Sequence, residues 1–174
     1  DTLASDFGDE STIYAHDSST GSARPIEISV RNPDNKVLVA TNQSDGVASS
    51  SEALRVGEWY HIGAVWTSAS SLALYLNGEL VDNDTSVADA TLDANTNDHT
   101  IGLRDFGSGS FNQFLDGSVD DLRIWNRELS AAEMKRLYGL GATTKINKTL
   151  NTNPDLENGL VGHWYGASTD KTNG

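Results

Sequence analysis

A chain of 174 residues with 37% hydrophobic content is long enough for one two-layer core and too short for two comfortable ones. Its 12 basic and 25 acidic side chains leave a net charge of −13, which repels polyanions, so nucleic acid is excluded as a partner. Without cysteine there is no disulfide framework or thiolate site, and no apolar run is long enough to cross a bilayer, so membrane insertion is not expected and any export signal lies outside the chain.

In chain order, Pro25-Ile-Glu-Ile-Ser-Val-Arg31 puts Ile26, Ile28 and Val30 on one face, Asn32 to Asn35 interrupts, and Lys36 to Thr41 resumes, which predicts a β-hairpin. Glu58 to Trp66 is apolar and aromatic enough to predict a central strand buried on both faces, with Trp59 and Trp66 in the core. Leu72, Leu74 and Leu76 share a face, and Asn77-Gly78 supplies the two positive-φ positions of a type I′ hairpin leading to Val81. Asp82 to Asp98 is polar and Asp/Asn-rich. His99 to Leu103 and Gly117 to Trp125 then read as strands around a Gly/Ser loop at Gly107 to Ser110.

Ser130-Ala-Ala-Glu133 is a capping box with Leu129 placed to staple onto Met134, and Gly139 and Gly141 are available to end the short helix that follows. Short strands parted by turn signals, with one helix, predict an all-β, two-sheet antiparallel sandwich. The chain divides into a domain over 1–141, a polar linker over 142–155 and a last apolar stretch over 156–174 that adds a strand.

Gly57 to Trp66, Leu74-Tyr-Leu-Asn-Gly78, His99-Thr-Ile-Gly102 and Phe114-Leu-Asp-Gly-Ser-Val-Asp-Asp-Leu-Arg-Ile-Trp-Asn-Arg-Glu-Leu-Ser130 resemble, in order and spacing, the laminin G-like, concanavalin A-like jelly-roll family. The resemblance implies a jelly-roll sandwich and an extracellular or cell-surface module, secreted and bacterial, that binds a glycan or glycoprotein and often carries calcium. It also exposes a displacement. Members usually start with a strand reading like Gly-Leu-Val-Gly-His-Trp, which here stands at Gly159 to Trp164. Either that text begins a following repeat, or it closes a sandwich as a permuted strand, its own or a neighbour's, in which case a tail-swapped dimer follows.

Asp120 shares strand parity with Leu122 and Ile124, which places its carboxylate in the core or at a sheet edge, where it needs a partner. The resemblance implies that this partner is structural calcium; the alternative is a loop N–H or an Arg. Asp121, of opposite parity, is expected in solvent. Asp93, Asn95 and Asn97 alternate like the start of an EF-hand loop, but Asp98 stands where its glycine belongs and Arg104 where its glutamate belongs, so a plain polar loop is the better reading there and at Asp82 to Asp84.

A sugar-binding face needs an exposed aromatic ring and planar polar side chains. The candidates are Trp125, at a strand exit, with Tyr14, His16, Arg104 and Asp105 in loops or strand ends. The four histidines show no short metal-ligand spacing, and the loop Asp105 to Ser110 lacks the Lys-Ser/Thr of a phosphate cradle. Retaining glycoside hydrolysis needs two carboxyl groups about 5 to 5.5 Å apart, and no Glu-x-Asp-x-x-Glu pattern occurs. A non-catalytic recognition module, calcium-assisted, is therefore expected. A structural or adhesive repeat packed on its neighbour is the alternative, and a hydrolase or lyase comes third.

Overall fold

The computed structural model describes residues 10–16, 26–32, 34–41, 46–67, 70–87, 99–105, 110–143 and 158–164. The chain runs β1 (Glu10–His16), β2 (Ile26–Arg31), β3 (Lys36–Thr41), β4 (Gly46–Ala53), β5 (Ile62–Thr67), β6 (Ser71–Leu76), β7 (Glu79–Asp84), β8 (His99–Ile101), β9 (Arg104–Asp105), β10 (Phe111–Asn112), β11 (Leu122–Trp125), α1 (Ala131–Thr143) and β12 (Leu160–Trp164). One sheet has the order β4-β3-β2-β1-β8 and a second the order β5-β6-β7, while β9 pairs with β10 and β11 with β12. Every pairing is antiparallel. The fold is the all-β sandwich with one helix that the strand pattern predicts.

The two larger sheets meet through Val37 and Val39 of β3, Ala48 of β4 and Leu72 and Leu74 of β6, with Val87 alongside. Ile28, Leu76 and Trp66 flank this cluster. Burying each such leucine is worth about 1.5–3 kcal/mol, and the two-residue period of a strand delivers Leu72 and Leu74 to the same face. The opposite parity, Ala73 and Tyr75 with Val65, turns away from this core and packs under α1 through Met134 and Leu137. A third layer thus covers the outer face of the β5-β6-β7 sheet.

Both hairpins form where their turn chemistry places them. Asn77 and Gly78 have φ of 52° and 80°, and Asn77 also accepts a bond from the His61 amide at 3.0 Å while donating its own amide to the His61 carbonyl at 2.7 Å. Asn35 closes the β2–β3 turn at φ 54°, beside an Arg31–Asp34 ion pair. At the helix start, Glu133 accepts from the Ser130 amide at 2.8 Å, and the Ser130 hydroxyl faces the Glu133 amide at 3.3 Å. Leu129 and Met134 share one buried cluster, completing the staple.

Several boundaries depart from the sequence reading. The helix runs through Gly139 and Gly141 to Thr143. The strand expected over Glu58 to Trp66 begins only at Ile62 and is half-buried. The one expected over Gly117 to Trp125 begins at Leu122, because Asp121 takes a left-handed φ of 57° and breaks the extended run. Asp82 to Asp84, expected in a loop, lies on β7. Its Asp82 and Asp84 carboxylates accept the Ser49 and Val47 amides of β4 at 2.8 and 2.9 Å, so they cap the open edge of the five-stranded sheet. Four strands, β1, β4, β9 and β10, had no counterpart in the sequence reading. The EF-like stretch 93–98 and most of the linker 142–155 lie outside the described residues.

β12 pairs with β11 in the register Leu122↔Trp164, Arg123↔His163, Ile124↔Gly162. The Asn126 amide donates to the Gly159 carbonyl at 2.6 Å and the Arg127 Nε to the Asn158 carbonyl at 2.6 Å. Gly159, at φ 77°, sits so close to Arg127 that a β-carbon there would come within 2.8 Å of its Cγ.

Candidate functional site

Trp59 departs most from its expected place. It is 71% exposed, not in the core. It lies in the β4–β5 connection, where an Arg55–Glu58 turn with Gly57 at φ 85° delays the start of β5. Val56, at the tip of the same turn, is 98% exposed. The turn is braced: the Tyr60 hydroxyl donates to the Glu58 carboxylate at 2.9 Å and accepts the Arg55 amide at 3.0 Å. The segment therefore holds its own shape while leaving an indole and an isopropyl group in water. Exposing an aromatic ring on a braced loop forgoes about 1.5–3 kcal/mol of burial and holds a flat apolar surface open to solvent.

A second group sits where β1 meets the edge strand β8. His16 is directly opposite His99, and their rings stack at 4.2 Å between centroids. The Tyr14 hydroxyl is 2.7 Å from His99 Nδ1. Tyr14 itself is buried, which pushes its pKa up to about 12. It is thus a core residue with only its hydroxyl at the rim, not the loop aromatic expected from the sequence.

Arg104 is likewise no surface ligand. It is 1% exposed, and its guanidinium lies 3.6 Å from the carboxylate of Glu27, itself 2% exposed. The Thr12 hydroxyl donates to the same carboxylate at 3.2 Å. In register, Glu27 lies between Ala15 and Ala40, and Ser29 between Thr12 and Leu38. All of these are buried, so Glu27, Ser29 and Thr12 form a sealed polar layer set among Ala15, Leu38 and Ala40 on one face of the five-stranded sheet. Glu10, 4% exposed, belongs to the same parity as Thr12. Both carboxylates are thus out of contact with solvent. Asp105, beside Arg104, is half-buried.

Asp120 is exposed, contrary to the parity argument, because the left-handed turn at Asp121 resets the alternation. Its carboxylate accepts the Asp121 amide at 2.8 Å. Asp121 is exposed as expected and forms a two-pronged pair with Arg123 at 2.9 and 3.0 Å. Among the described residues no three His, Cys, Asp or Glu side chains gather as metal ligands. Trp125 is half-buried against the helix cluster. The cleft lined by Arg127, Glu133, Arg136 and Asn158 is occupied by the Arg127–Glu133 ion pair at 2.6 Å.

His61 is half-buried, and burial is the main cause of its lowered pKa; the Asp121 charge opposes the shift and Arg123 adds to it. Of the sequence-derived candidates, the structure brings together Tyr14 and His16, joined by His99. Arg104 is engaged with Glu27 instead, Trp125 with the helix cluster, and Asp120 with the Asp121 amide. The sequence reading missed Trp59; the one local trace of its exposure is the turn tetrad Arg55-Val-Gly-Glu58, which ends just before the aromatic run.

The family described as the concanavalin A-like lectin/glucanases superfamily matches residues 4–135. The chain belongs to that superfamily. As a superfamily member it shares its fold with the native heptameric SAP-like pentraxin from Limulus polyphemus, at 18% identity and a TM-score of 0.56, over 75% of this chain and 63% of that one. An S-layer domain-containing protein from Clostridium thermocellum is similar at 28% identity and a TM-score of 0.43, again over 75% and 63%. This superfamily member thus spans 63% of the length of the solved chains it matches. No curated protein matches it. Among the described residues no helix is long and apolar enough to cross a membrane.

Proposed function

We propose that this superfamily member is a non-catalytic, extracellular or cell-surface recognition module that binds a glycan or glycoprotein through the β4–β5 loop. The observation that carries the reading is the 71% exposed Trp59 on a braced turn. A flat indole offers the stacking surface that a pyranose ring needs, and Glu58 and Arg55 beside it supply planar hydrogen-bonding groups. Catalysis is disfavoured because no Glu-x-Asp-x-x-Glu pattern occurs and two of the glutamates, Glu27 and Glu10, are sealed from solvent.

Calcium assistance belongs to the same proposal and rests on the family resemblance at Asp120. The test is a glycan array probed with the wild type and Trp59→Ala, each with calcium and with EDTA. Saturable binding that falls at least tenfold in Trp59→Ala supports the site, and loss in EDTA supports the ion. Equal binding by both proteins overturns the Trp59 site.

A second reading, a structural or adhesive repeat covered by its neighbour, is favoured by the exposed apolar side chains of Ile101, Phe111 and Phe114. It predicts no glycan hit, together with self-association in sedimentation that Phe114→Ser abolishes.

A further inference from the structure

His61 carries a buried polar atom that recognition through Trp59 does not use. Its Nδ1 is closed off from water and has no hydrogen-bond partner among the described residues. The backbone fixes the residue in that position. The His61 amide donates to the Asn77 side-chain oxygen at 3.0 Å, and its carbonyl accepts the Asn77 amide at 2.7 Å, so His61 is tied to the β6–β7 turn. On its other side the imidazole meets the ring of Tyr138 from α1, with centroids 6.1 Å apart and planes tilted by 50°.

The helix rests directly on that turn. A β-carbon at Gly78 would come within 3.0 Å of the Lys135 Cα and of the Tyr138 Cβ, and Lys135 pairs with Glu79 at 2.6 Å across the same seam. Beneath α1 lie the buried side chains of Tyr75, Met134 and Leu137. From the side of β11, Asp121 and Arg123 act on the ring through their charges, Asp121 favouring the imidazolium and Arg123 opposing it. These two hold each other at 2.9 and 3.0 Å, and neither gives Nδ1 an acceptor.

A neutral imidazole suits this position, with its hydrogen on Nε2 and only a lone pair at Nδ1. The imidazolium does not, because it must place an N–H at Nδ1, where the donor finds neither an acceptor nor water. We propose that His61 is an acid-sensitive latch: proton uptake at Nδ1 unseats the C-terminal part of α1 from the β6–β7 turn and uncovers Tyr75 and Leu137. Burial holds the pKa of the folded ring below its ordinary 6.5. The latch is therefore fully closed above 6.5 and weakens as pH falls from there towards the folded value. Uptake of one proton shifts such an opening equilibrium by at most about tenfold per pH unit.

The test is amide hydrogen exchange of the full chain, followed by NMR at about pH 7 and about pH 5.5, above the range in which exposed carboxylates titrate. After correction for intrinsic rates, protection of the α1 amides around Leu137 and Tyr138 should fall at least about threefold at the lower pH, while that of β2 and β3 stays level. His61→Phe keeps a flat ring that cannot titrate, so it should hold its α1 protection at both pH values. Two-bond ¹H–¹⁵N spectra of the wild type give a readout free of mutation: His61 should be the Nε2–H tautomer, with a titration midpoint below 6.5. Equal α1 protection at both pH values, a fall shared equally by β2 and β3, a fall that persists in His61→Phe, or a His61 midpoint at or above 6.5 would each overturn the latch.

Discussion

Replacing Glu27 by Gln keeps the acceptor that Thr12 uses but removes the charge facing Arg104. At 3.6 Å two unit charges attract by about 4–5 kcal/mol in an effective dielectric of about 20. Both partners have surrendered nearly all contact with water to reach that distance, at 1% and 2% exposure. The pair as a whole is therefore close to break-even, while either charge left alone pays its full desolvation. Glu27→Gln and Arg104→Met should each lower the unfolding free energy by about 3–5 kcal/mol. For a chain of this size that lowers the melting temperature by about 6–20 °C.

The double variant Glu27→Gln/Arg104→Met should recover most of that loss, with a coupling energy of at least about 2 kcal/mol in a double-mutant cycle measured by urea denaturation. Single variants costing under about 1 kcal/mol, or additivity within about 0.5 kcal/mol, would refute the sealed polar layer.

The helix cap should impose a defined acid dependence. Glu133 is held down to about 2 by the Arg127 guanidinium first and then by the Ser130 amide and hydroxyl. A folded-state value below the unfolded one stabilises the fold above the ordinary carboxylate range and is lost as pH falls from there towards 2. Wild type should exceed Glu133→Gln by about 1 kcal/mol at pH 7, and the two unfolding curves should converge near pH 2; a gap that persists at low pH contradicts the assignment.

The edge caps of β4 are testable by solubility. Burial raises the Asp84 carboxyl, but hydrogen bonds from the Ser86 hydroxyl and the Val47 and Ser86 amides together hold it below its usual value. Asp82→Ala/Asp84→Ala should cost about 1 kcal/mol per lost bond and leave two strand amides open. Light scattering on warming should rise at a lower temperature than for the wild type; unchanged scattering would mean that the edge is protected by other means.

The parts of the fold legible in the sequence are those whose cause is local. Asn77-Gly78 specifies a hairpin because only such residues tolerate two successive positive φ values at low cost. Ser130 and Glu133 specify a helix start because their side chains reach amides within one turn. Leu72 to Leu76 alternates because one face of β6 is core, and the written period shows it.

What tertiary structure decided is everything that depends on which faces are covered. β1, Glu-Ser-Thr-Ile-Tyr-Ala-His, has no clear alternation because both of its faces are buried and a bulge lies between Thr12 and Tyr14. β4 is serine-rich yet sits beneath the carboxylates of β7. Arg104 reads as a surface cation, and only the arrival of Glu27 from a strand 77 residues earlier makes it a core residue. Asp120 and Trp59 move the other way, out of the core, because a left-handed residue at Asp121 and a turn at Arg55 to Glu58 shift where each strand begins. The sequence by itself determined the turns, the cap and the sandwich class, which are settled by neighbours along the chain. The tertiary structure alone decided which charges are sealed, which tryptophan faces water and which histidines meet, since burial is a property of distant segments brought together.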